Sequence, residues 1–208
     1  MAYDLEEQEE LDVIKDWWKR NSKYVAALVV AVAVVFSTYQ GWKYYQHKQA
    51  VEASALYDQL TRHDVKDIKN IRSLSAQLME KYSGTVYATR GALLAAKANY
   101  EGNDAKSAMA QLQWAMEHAK EEQIRSIAQL QLAAVQLDQK QYDVALKTLA
   151  DKHDAAFDGL FADLKGDVLV AQGKPADAKA AYKDALSKLD AQGHYRVYTE
   201  HKLEALGS

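Results

Sequence analysis

Cysteine is absent from this chain of 208 residues, and proline occurs once. The absence of cysteine excludes disulfide bridges, thiol nucleophiles and thiolate metal sites. The scarcity of proline, beside abundant alanine, leucine, glutamine and lysine, favours helices throughout. An excess of positive charge is also absent, with 26 lysines and arginines against 29 acidic residues and a net charge of −3. We therefore expect no basic surface of the kind that binds nucleic acid.

Long hydrophobic runs are absent except for one, which lies between Lys23 and Lys43. Its nineteen residues, 24–42, carry no charge. A helix of this length is about 28 Å long, close to the hydrocarbon thickness of a bilayer. Aromatic residues flank it on both sides, as expected at the depth of the lipid headgroups. We expect a transmembrane helix whose membrane anchor includes these residues: Tyr24, Val25, Leu28, Val32, Val35, Phe36, Tyr39 and Trp42.

Two other kinds of segment share this composition: a buried core helix and the apolar part of a cleaved signal peptide. Residues 25–36 are apolar on every side, whereas a core helix of a small domain usually keeps a polar stripe. The preceding tail is long and acidic, and the residues after Phe36 offer no small-residue cleavage site. Both features favour an uncleaved anchor.

The distribution of lysine and arginine predicts the direction of the span. Four of these residues lie within residues 15–23, and only Lys43 and Lys48 follow closely. Because lysine and arginine counts, rather than net charge, set orientation, we expect the N-terminus in the cytoplasm. The chain then divides into a cytoplasmic tail (1–23), a transmembrane helix (24–42) and a domain on the far side (43–208).

The tail has an amphipathic pattern, with Leu11, Ile14 and Trp18 spaced to share one helix face. Such a face can contact a membrane surface or a partner protein. The alternative is a solvated tail whose tryptophans rest at the membrane interface, and we favour this alternative.

Helical periodicity continues through the rest of the chain. Apolar residues recur at i, i+3, i+4 and i+7, as in Ile68, Ile71, Leu74 and Leu78, and no strand pattern competes. We therefore predict an all-α fold. We expect the first helix to run on to about residue 60, followed by helices at 64–82, 85–101, 104–119, 121–139, 142–151, 155–172, 175–189 and 194–206.

These helices contain a degenerate repeat. Gly166, Gly173, Ala178, Tyr182 and Ala185 have the mutual spacings of a tetratricopeptide unit. The alanines at 108, 145 and 178 are 37 and 33 residues apart, close to the 34-residue period of such units. The same register selects further small or apolar positions upstream: Ala96, Leu112, Ala115, Leu132, Ala133 and Leu149. We predict a tetratricopeptide-like α-solenoid of helical hairpins, with residues 47–60 and 64–82 as the N-terminal hairpin and residues 194–206 as a capping helix.

Solenoids of this kind bind other proteins on a concave face lined by the first helix of each hairpin. In this register we expect a candidate partner-binding groove that includes these residues: Arg90, Lys97, Tyr100, Glu101, Asp163 and Asp167. The alternative for each of them is an ordinary solvated position.

No motif indicates catalysis or a cofactor. The six histidines are scattered, and only His194 and His201 are spaced to share a helix face. No carboxylate pattern completes a metal site around these two histidines. Neither a glycine-rich phosphate loop nor a serine nucleophile motif is present. We therefore expect a non-enzymatic protein without metal or cofactor.

The order of segments resembles a known family, the YfgM-type ancillary subunits of the bacterial Sec translocon. The resemblance lies in the acidic tail with IKDWWKRNSKY, the span, the following GWKYYQHKQAVEASALYDQL and the repeat domain. Two further stretches match within the repeats, residues 130–149 and 162–182. The closing segment HYRVYTEHKLEALGS does not match closely.

The resemblance implies a single-pass protein of the bacterial inner membrane with its repeat domain in the periplasm. It also implies association with the SecYEG translocon, with a membrane-anchored periplasmic prolyl-isomerase-like chaperone, and with periplasmic chaperones or client proteins. The implied role is to help pass translocated proteins to those chaperones, and no catalytic residues are implied. Two alternatives remain open: a scaffold or negative regulator of a stress response acting through the tail, and an unrecognised catalytic domain.

Overall fold

The computed structural model describes residues 3–64 and 66–207, and the side chains from residue 10 onward within these ranges. Residues 1, 2, 65 and 208, which fall within the predicted tail and repeat domain, lie outside the described residues. No strand occurs in the described part, which confirms the all-α prediction. Its helices are α1 (Tyr3–Arg62), α2 (Ile68–Lys81), α3 (Val86–Glu101), α4 (Ala105–His118), α5 (Glu122–Asp138), α6 (Tyr142–Ala150), a 3-10 helix (Ala155–Phe157), α7 (Asp158–Ala171), α8 (Pro175–Lys188) and α9 (His194–Ala205).

The chain divides into two compact units, residues 1–48 and 49–208. In the first unit the apolar residues of α1 are exposed on all sides, with Leu28, Val32 and Val35 at 64%, 60% and 69% exposure. Among the described residues, α1 is the one helix long and apolar enough to cross a membrane, and its apolar window is 0% buried. A helix of a protein core would be covered, so this segment fits a single-pass membrane protein.

The second unit begins with the end of α1. Ala53 and Leu60 share one buried cluster with Ile71 and Leu78 of α2 and with three alanines of α3, Ala88, Ala95 and Ala98. Three hairpins follow, α3 with α4, α5 with α6 and α7 with α8, and α9 packs against α8. We call α3, α5 and α7 the first helices of these hairpins, and α4, α6 and α8 the second helices.

All but one of the repeat positions selected from the sequence are buried where the helices press together, and the exception, Gly173, is exposed in a turn. Ala108, Ala145 and Ala178 are each 0% exposed. The others are also buried: Ala96, Leu112, Ala115, Leu132, Ala133, Leu149, Gly166, Tyr182 and Ala185. Small residues at these positions let two helix backbones approach, and the larger ones fill the space between neighbouring helices.

The turns inside the three hairpins repeat the same backbone conformation. Asn103, Lys140 and Gly173 have φ angles of 61°, 57° and 74°, and they are spaced like the repeat alanines. In each turn the amide of the next residue donates to a carbonyl five residues back, as in Asp104 to Asn99 at 2.8 Å. Glycine adopts positive φ without strain and asparagine tolerates it, whereas lysine does so at a cost.

A buried polar contact also recurs between the two helices of a hairpin. Asn99 Nδ2 donates to Gln111 Oε1 at 2.8 Å in the first of the three hairpins. Thr148 Oγ1 donates to Gln136 Oε1 at 2.9 Å at the corresponding positions of the second. Each pair keeps its buried polar atoms satisfied, and it ties the hairpin at one register.

The start of the third hairpin differs from the prediction of a single helix over 155–172. Residues 155–157 form a 3-10 turn, and the α-helix begins at Asp158. The amide of Phe157 donates to the Asp154 carbonyl at 2.9 Å, an i to i+3 bond. The Asp154 side chain accepts from the amide of Ala156 at 2.9 Å and holds this tighter turn.

Candidate functional site

The first helices form a continuous surface in the repeat domain, because α5 contacts both α3 and α7. We call this surface the first-helix face. Four of the predicted groove residues lie on α3, where Lys97, Tyr100 and Glu101 are exposed and Arg90 is half-buried. The other two lie on α7.

A cavity of about 220 Å³ opens between α3 and α5. We call it the α3–α5 cavity. Its apolar lining includes Leu112 of α4, and its other residues come from the two first helices: Ala96, Lys97, Tyr100, Gln131, Ala134, Val135 and Asp138. Two of the predicted groove residues, Lys97 and Tyr100, therefore border the same cavity, and four of its residues come from α5.

Tyr100 spans the mouth of this cavity from α3 to α5. Its hydroxyl donates a hydrogen bond to the Asp138 carboxylate. This bond, together with burial and the negative charge of Asp138, raises the pKa of Tyr100 above its ordinary value. The tyrosine consequently stays neutral and keeps its ring in place beside the apolar lining.

The remaining α3 residues form ion pairs on the surface. Arg90 lies 3.3 Å from Glu121 at the start of α5, and Lys97 lies 3.9 Å from Glu101 one helical turn away. Such exposed pairs contribute little stability. Their charged groups stay accessible at the rim of the first-helix face.

The two predicted groove residues on α7, Asp163 and Asp167, contact helix α9. Asp163 accepts from Thr199 Oγ1 at 2.8 Å and from Lys202 Nζ at 2.7 Å. Asp167 accepts from the same Lys202 Nζ at 2.7 Å and from the Tyr182 hydroxyl at 2.8 Å. Their partners on α9 cover both carboxylates, which are only 16% and 28% exposed. They hold the capping helix α9 and remain partly exposed, and their place in a partner-binding groove stays a prediction.

This cluster shifts the protonation of its members. Burial lowers the pKa of Lys202, but its hydrogen bonds to Asp163 and Asp167 outweigh that effect, so the pKa lies above its ordinary value. Burial and the hydrogen bond to Asp167 raise the pKa of Tyr182 far above its ordinary value. The lysine is therefore charged and the tyrosine neutral at physiological pH.

The sequence reasoning missed the α5 side of the cavity. Gln131, Ala134 and Asp138 are spaced at i, i+3 and i+7, so they share one face of a helix. The repeat register predicts two of them, because Ala134 and Asp138 lie 37 residues after Lys97 and Glu101, the spacing of the first two repeat alanines.

The described residues contain no group of three or more histidine, cysteine or carboxylate residues able to hold a metal ion. His194 and His201, the one pair spaced to share a helix face, are both exposed on α9. His201 instead lies 3.7 Å from Glu204 of its own helix. The arrangement offers surfaces for binding rather than groups for catalysis.

Stacked hairpins with small residues at their crossings define a tetratricopeptide-like helical-repeat protein, here carrying one helix able to span a membrane. The protein-family model described as a tetratricopeptide repeat-like domain matches residues 15–208, which is most of the chain. This fold is a non-catalytic protein-interaction fold. No solved structure matches the chain.

The curated relatives that match this chain share one name. A protein of Haemophilus influenzae called an ancillary SecYEG translocon subunit is 36% identical over 189 residues, covering 89% of this chain and 91% of that protein. Proteins with the same name from Neisseria gonorrhoeae and Escherichia coli are 31% and 29% identical over 99% and 85% of this chain, and over 100% and 85% of their own lengths. The chain belongs to the family of ancillary SecYEG translocon subunits.

Proposed function

We propose that this chain is a non-enzymatic ancillary subunit of the Sec translocon, whose repeat domain binds partner proteins. It helps to pass translocated proteins to periplasmic chaperones. The names of its relatives, which align along most of its length, support an association with the SecYEG channel. The exposed apolar helix and the adjoining repeat domain support a role beside a membrane channel.

The proposal places the tail, residues 1–23, in the cytoplasm and residues 24–42 in the bacterial inner membrane. Residues 43–208 lie in the periplasm. The four lysines and arginines before the span support this direction, because such residues stay on the cytoplasmic side. In this orientation the repeat domain lies in the compartment that translocated chains enter.

The α3–α5 cavity is the observation that carries the binding role. Its volume of about 220 Å³ and apolar lining suit one large apolar side chain of an extended polypeptide. Lys97 and Gln131 stand on opposite helices at its border and are exposed. An ammonium group and a side-chain amide there can hydrogen-bond the backbone of that polypeptide without reading its sequence.

The partners that this proposal assigns are the SecYEG channel, a membrane-anchored periplasmic prolyl-isomerase-like chaperone and emerging client chains. A client with exposed apolar side chains matches the α3–α5 cavity, since a folded protein keeps such side chains inside. Arg90 and Glu101 then belong to the rim of the same surface.

Photo-crosslinking in membranes tests this assignment. A crosslinking amino acid is placed at Lys97 or Gln131, with Ala110 on α4 as the matched exposed position away from the cavity. We expect adducts with SecY or with a translocating client from the first two positions and not from Ala110. Correct insertion without adducts from Lys97 and Gln131, or equal adducts from Ala110, contradicts the proposed surface.

One feature of the tail favours a second role, in which the chain is a scaffold or negative regulator of a stress response. Leu11, Ile14 and Trp18 are 53%, 62% and 54% exposed along α1, so an apolar face is available to a partner. Deletion of residues 2–12 separates the two roles. A regulatory role requires that the deletion release the stress response, whereas the translocon role requires that client crosslinks persist.

A further inference from the structure

The second hairpin has an unusually short second helix. The helix α6 has nine residues, whereas α4 and α8 have fourteen each. After Ala150 the chain leaves the helix and passes through residues 151–154 into the 3-10 turn. A groove of about 580 Å³ lies beside this early end, bordered by α6, α7 and α8. We call it the second-helix groove.

The floor of this groove is apolar. Leu149, Phe161 and Leu169 line it, and each keeps only a small exposed fraction, between 3% and 7%. Along the α8 side, Ala180 and Ala181 present only methyl groups. Because alanine leaves the helix backbone accessible, another helix can approach α8 closely here.

The length of the groove matches a short helix. Its α8 border runs from Asp177 to Lys188, eleven residues apart in one helix. That separation is about 16 Å, or three turns of a helix lying alongside. The groove is lined by residues of α6, α7 and α8, and a helix, which is wider than an extended strand, contacts more of such a surface.

Two of the charged residues at the border, one of each sign, have no ion-pair partner among the described residues. Asp184 pairs with Lys188 at 3.0 Å, and Asp158 lies 3.1 Å from His153. Asp177 borders the groove on the α8 side, and no ion pair of this residue occurs in the part of the chain that the structure describes. Lys165 on the α7 side likewise has none there. The two walls therefore offer unpaired charges of opposite sign.

We propose that the second-helix groove binds a short amphipathic helix of a partner protein, with an apolar stripe on the floor, a lysine or arginine facing Asp177 and a carboxylate facing Lys165. The site is separate from the α3–α5 cavity. It gives the repeat domain a second, structurally distinct surface, which takes a folded helix rather than an extended chain.

The test uses the full chain in lipid nanodiscs and three labelled model peptides of fourteen residues. The first is an alanine-based helix with a leucine stripe, one flanking lysine and one flanking glutamate. The second has that lysine replaced by glutamate, and the third carries a central proline that breaks the helix. Fluorescence anisotropy reports the affinity of each peptide.

Two alanines provide a matched pair of variants. Ala180 and Ala110 are both exposed and each lies two residues after its repeat alanine, but only Ala180 borders the groove. We expect Ala180→Trp to weaken binding of the first peptide at least tenfold and Ala110→Trp to change it less than twofold. Circular dichroism and the unfolding midpoint confirm that both variants fold.

Charge reversal gives a second readout that does not depend on filling the groove. We expect Asp177→Lys to weaken binding of the first peptide at least threefold and to strengthen binding of the second. Binding of the proline peptide as tight as that of the first, an equal effect of Ala110→Trp, or no response to Asp177→Lys overturns the proposal. So does self-association that Ala180→Trp abolishes, since the occupant is then a second copy of the chain.

Discussion

Gly166 of α7 lies directly against the ring of Tyr182 of α8. A Cβ atom at position 166 would stand 2.3 Å from Tyr182 Cε1, far inside van der Waals contact. The corresponding positions of the other two hairpins hold Ala96 with Leu112 and Ala133 with Leu149. The residue on the first helix is therefore smaller where its partner on the second helix is larger.

This size match predicts the effect of adding one methyl group. Gly166→Ala should lower the free energy of unfolding by about 2–3 kcal/mol, since the ring has to move within a packed interface. The double variant Gly166→Ala with Tyr182→Leu recreates the pairing of the other hairpins. We expect its loss of stability to be at least about 1 kcal/mol smaller than the sum of the single losses. Additive losses in urea unfolding contradict the size match.

The turn at Lys140 is expected to gain stability from glycine. Its φ of 57° lies in the left-handed region, where the corresponding turn of the third hairpin already has Gly173. Lys140→Gly removes the steric cost of a Cβ in that region, and the gain exceeds the added entropy of the unfolded chain. We expect about 0.5–1 kcal/mol of stabilisation in thermal unfolding. Asn103→Gly is the control with a smaller effect, and a destabilised Lys140→Gly variant contradicts the interpretation.

Lys202 holds the capping helix α9 through Asp163 and Asp167. Lys202→Met leaves two half-buried carboxylates close together without a cation, and we expect a loss of about 1–2 kcal/mol. Hydrogen exchange should show faster exchange of α9 amides while α3 to α5 stay protected. Equally faster exchange across the whole repeat domain would mean that the effect of losing this contact is not confined to α9.

The contact of Lys202 with Asp163 and Asp167 stabilises the fold over a defined pH range. Because the pKa of Lys202 is raised in the folded state, its contribution is complete below the ordinary lysine value of about 10.5. The contribution is lost as the pH rises through the raised pKa. Protection of α9 should therefore be constant from pH 6 to about 9.5.

The contribution of Asp104, at the start of α4, to stability should depend on pH in the opposite way. Hydrogen bonds from Ser107 and the nearby Arg72 lower the pKa of Asp104 below 3.8. Its stabilising effect is therefore present above that value and is lost as the pH falls through the lowered pKa. Asp104→Asn keeps a capping side chain that does not titrate, so its stability should fall less between pH 5 and pH 2 than that of the native chain. A carboxyl titration by NMR that gives a pKa at or above 3.8 contradicts this account.

The repeat architecture was predictable because it depends on local signals. The spacing of Ala108, Ala145 and Ala178 reports how two helices cross, and the turn residues mark where each hairpin reverses. These features repeat within 33 to 37 residues, so one sequence contains several copies of the same signal.

The candidate site was only partly predictable, because it depends on contacts between repeats. Asp163 and Lys202 are 39 residues apart and belong to helices that no periodic pattern pairs. The repeat positions found in the sequence end at Ala185, so their register gave no indication that Lys202 covers that carboxylate. The cavity beside Tyr100 needed Asp138 of the next hairpin, which lies 38 residues away.

The most direct test of the central claim is to determine on which side of the membrane the repeat domain lies. A reporter enzyme that is active only outside the cytoplasm is fused after residue 208, and a second fusion carries a reporter active only inside. A matched pair of fusions replaces Lys15, Lys19, Arg20 and Lys23 by glutamine, which should weaken the orientation. The account predicts activity of the external reporter alone in the native chain. Activity of the cytoplasmic reporter alone would contradict the orientation and with it the proposed role at the translocon exit.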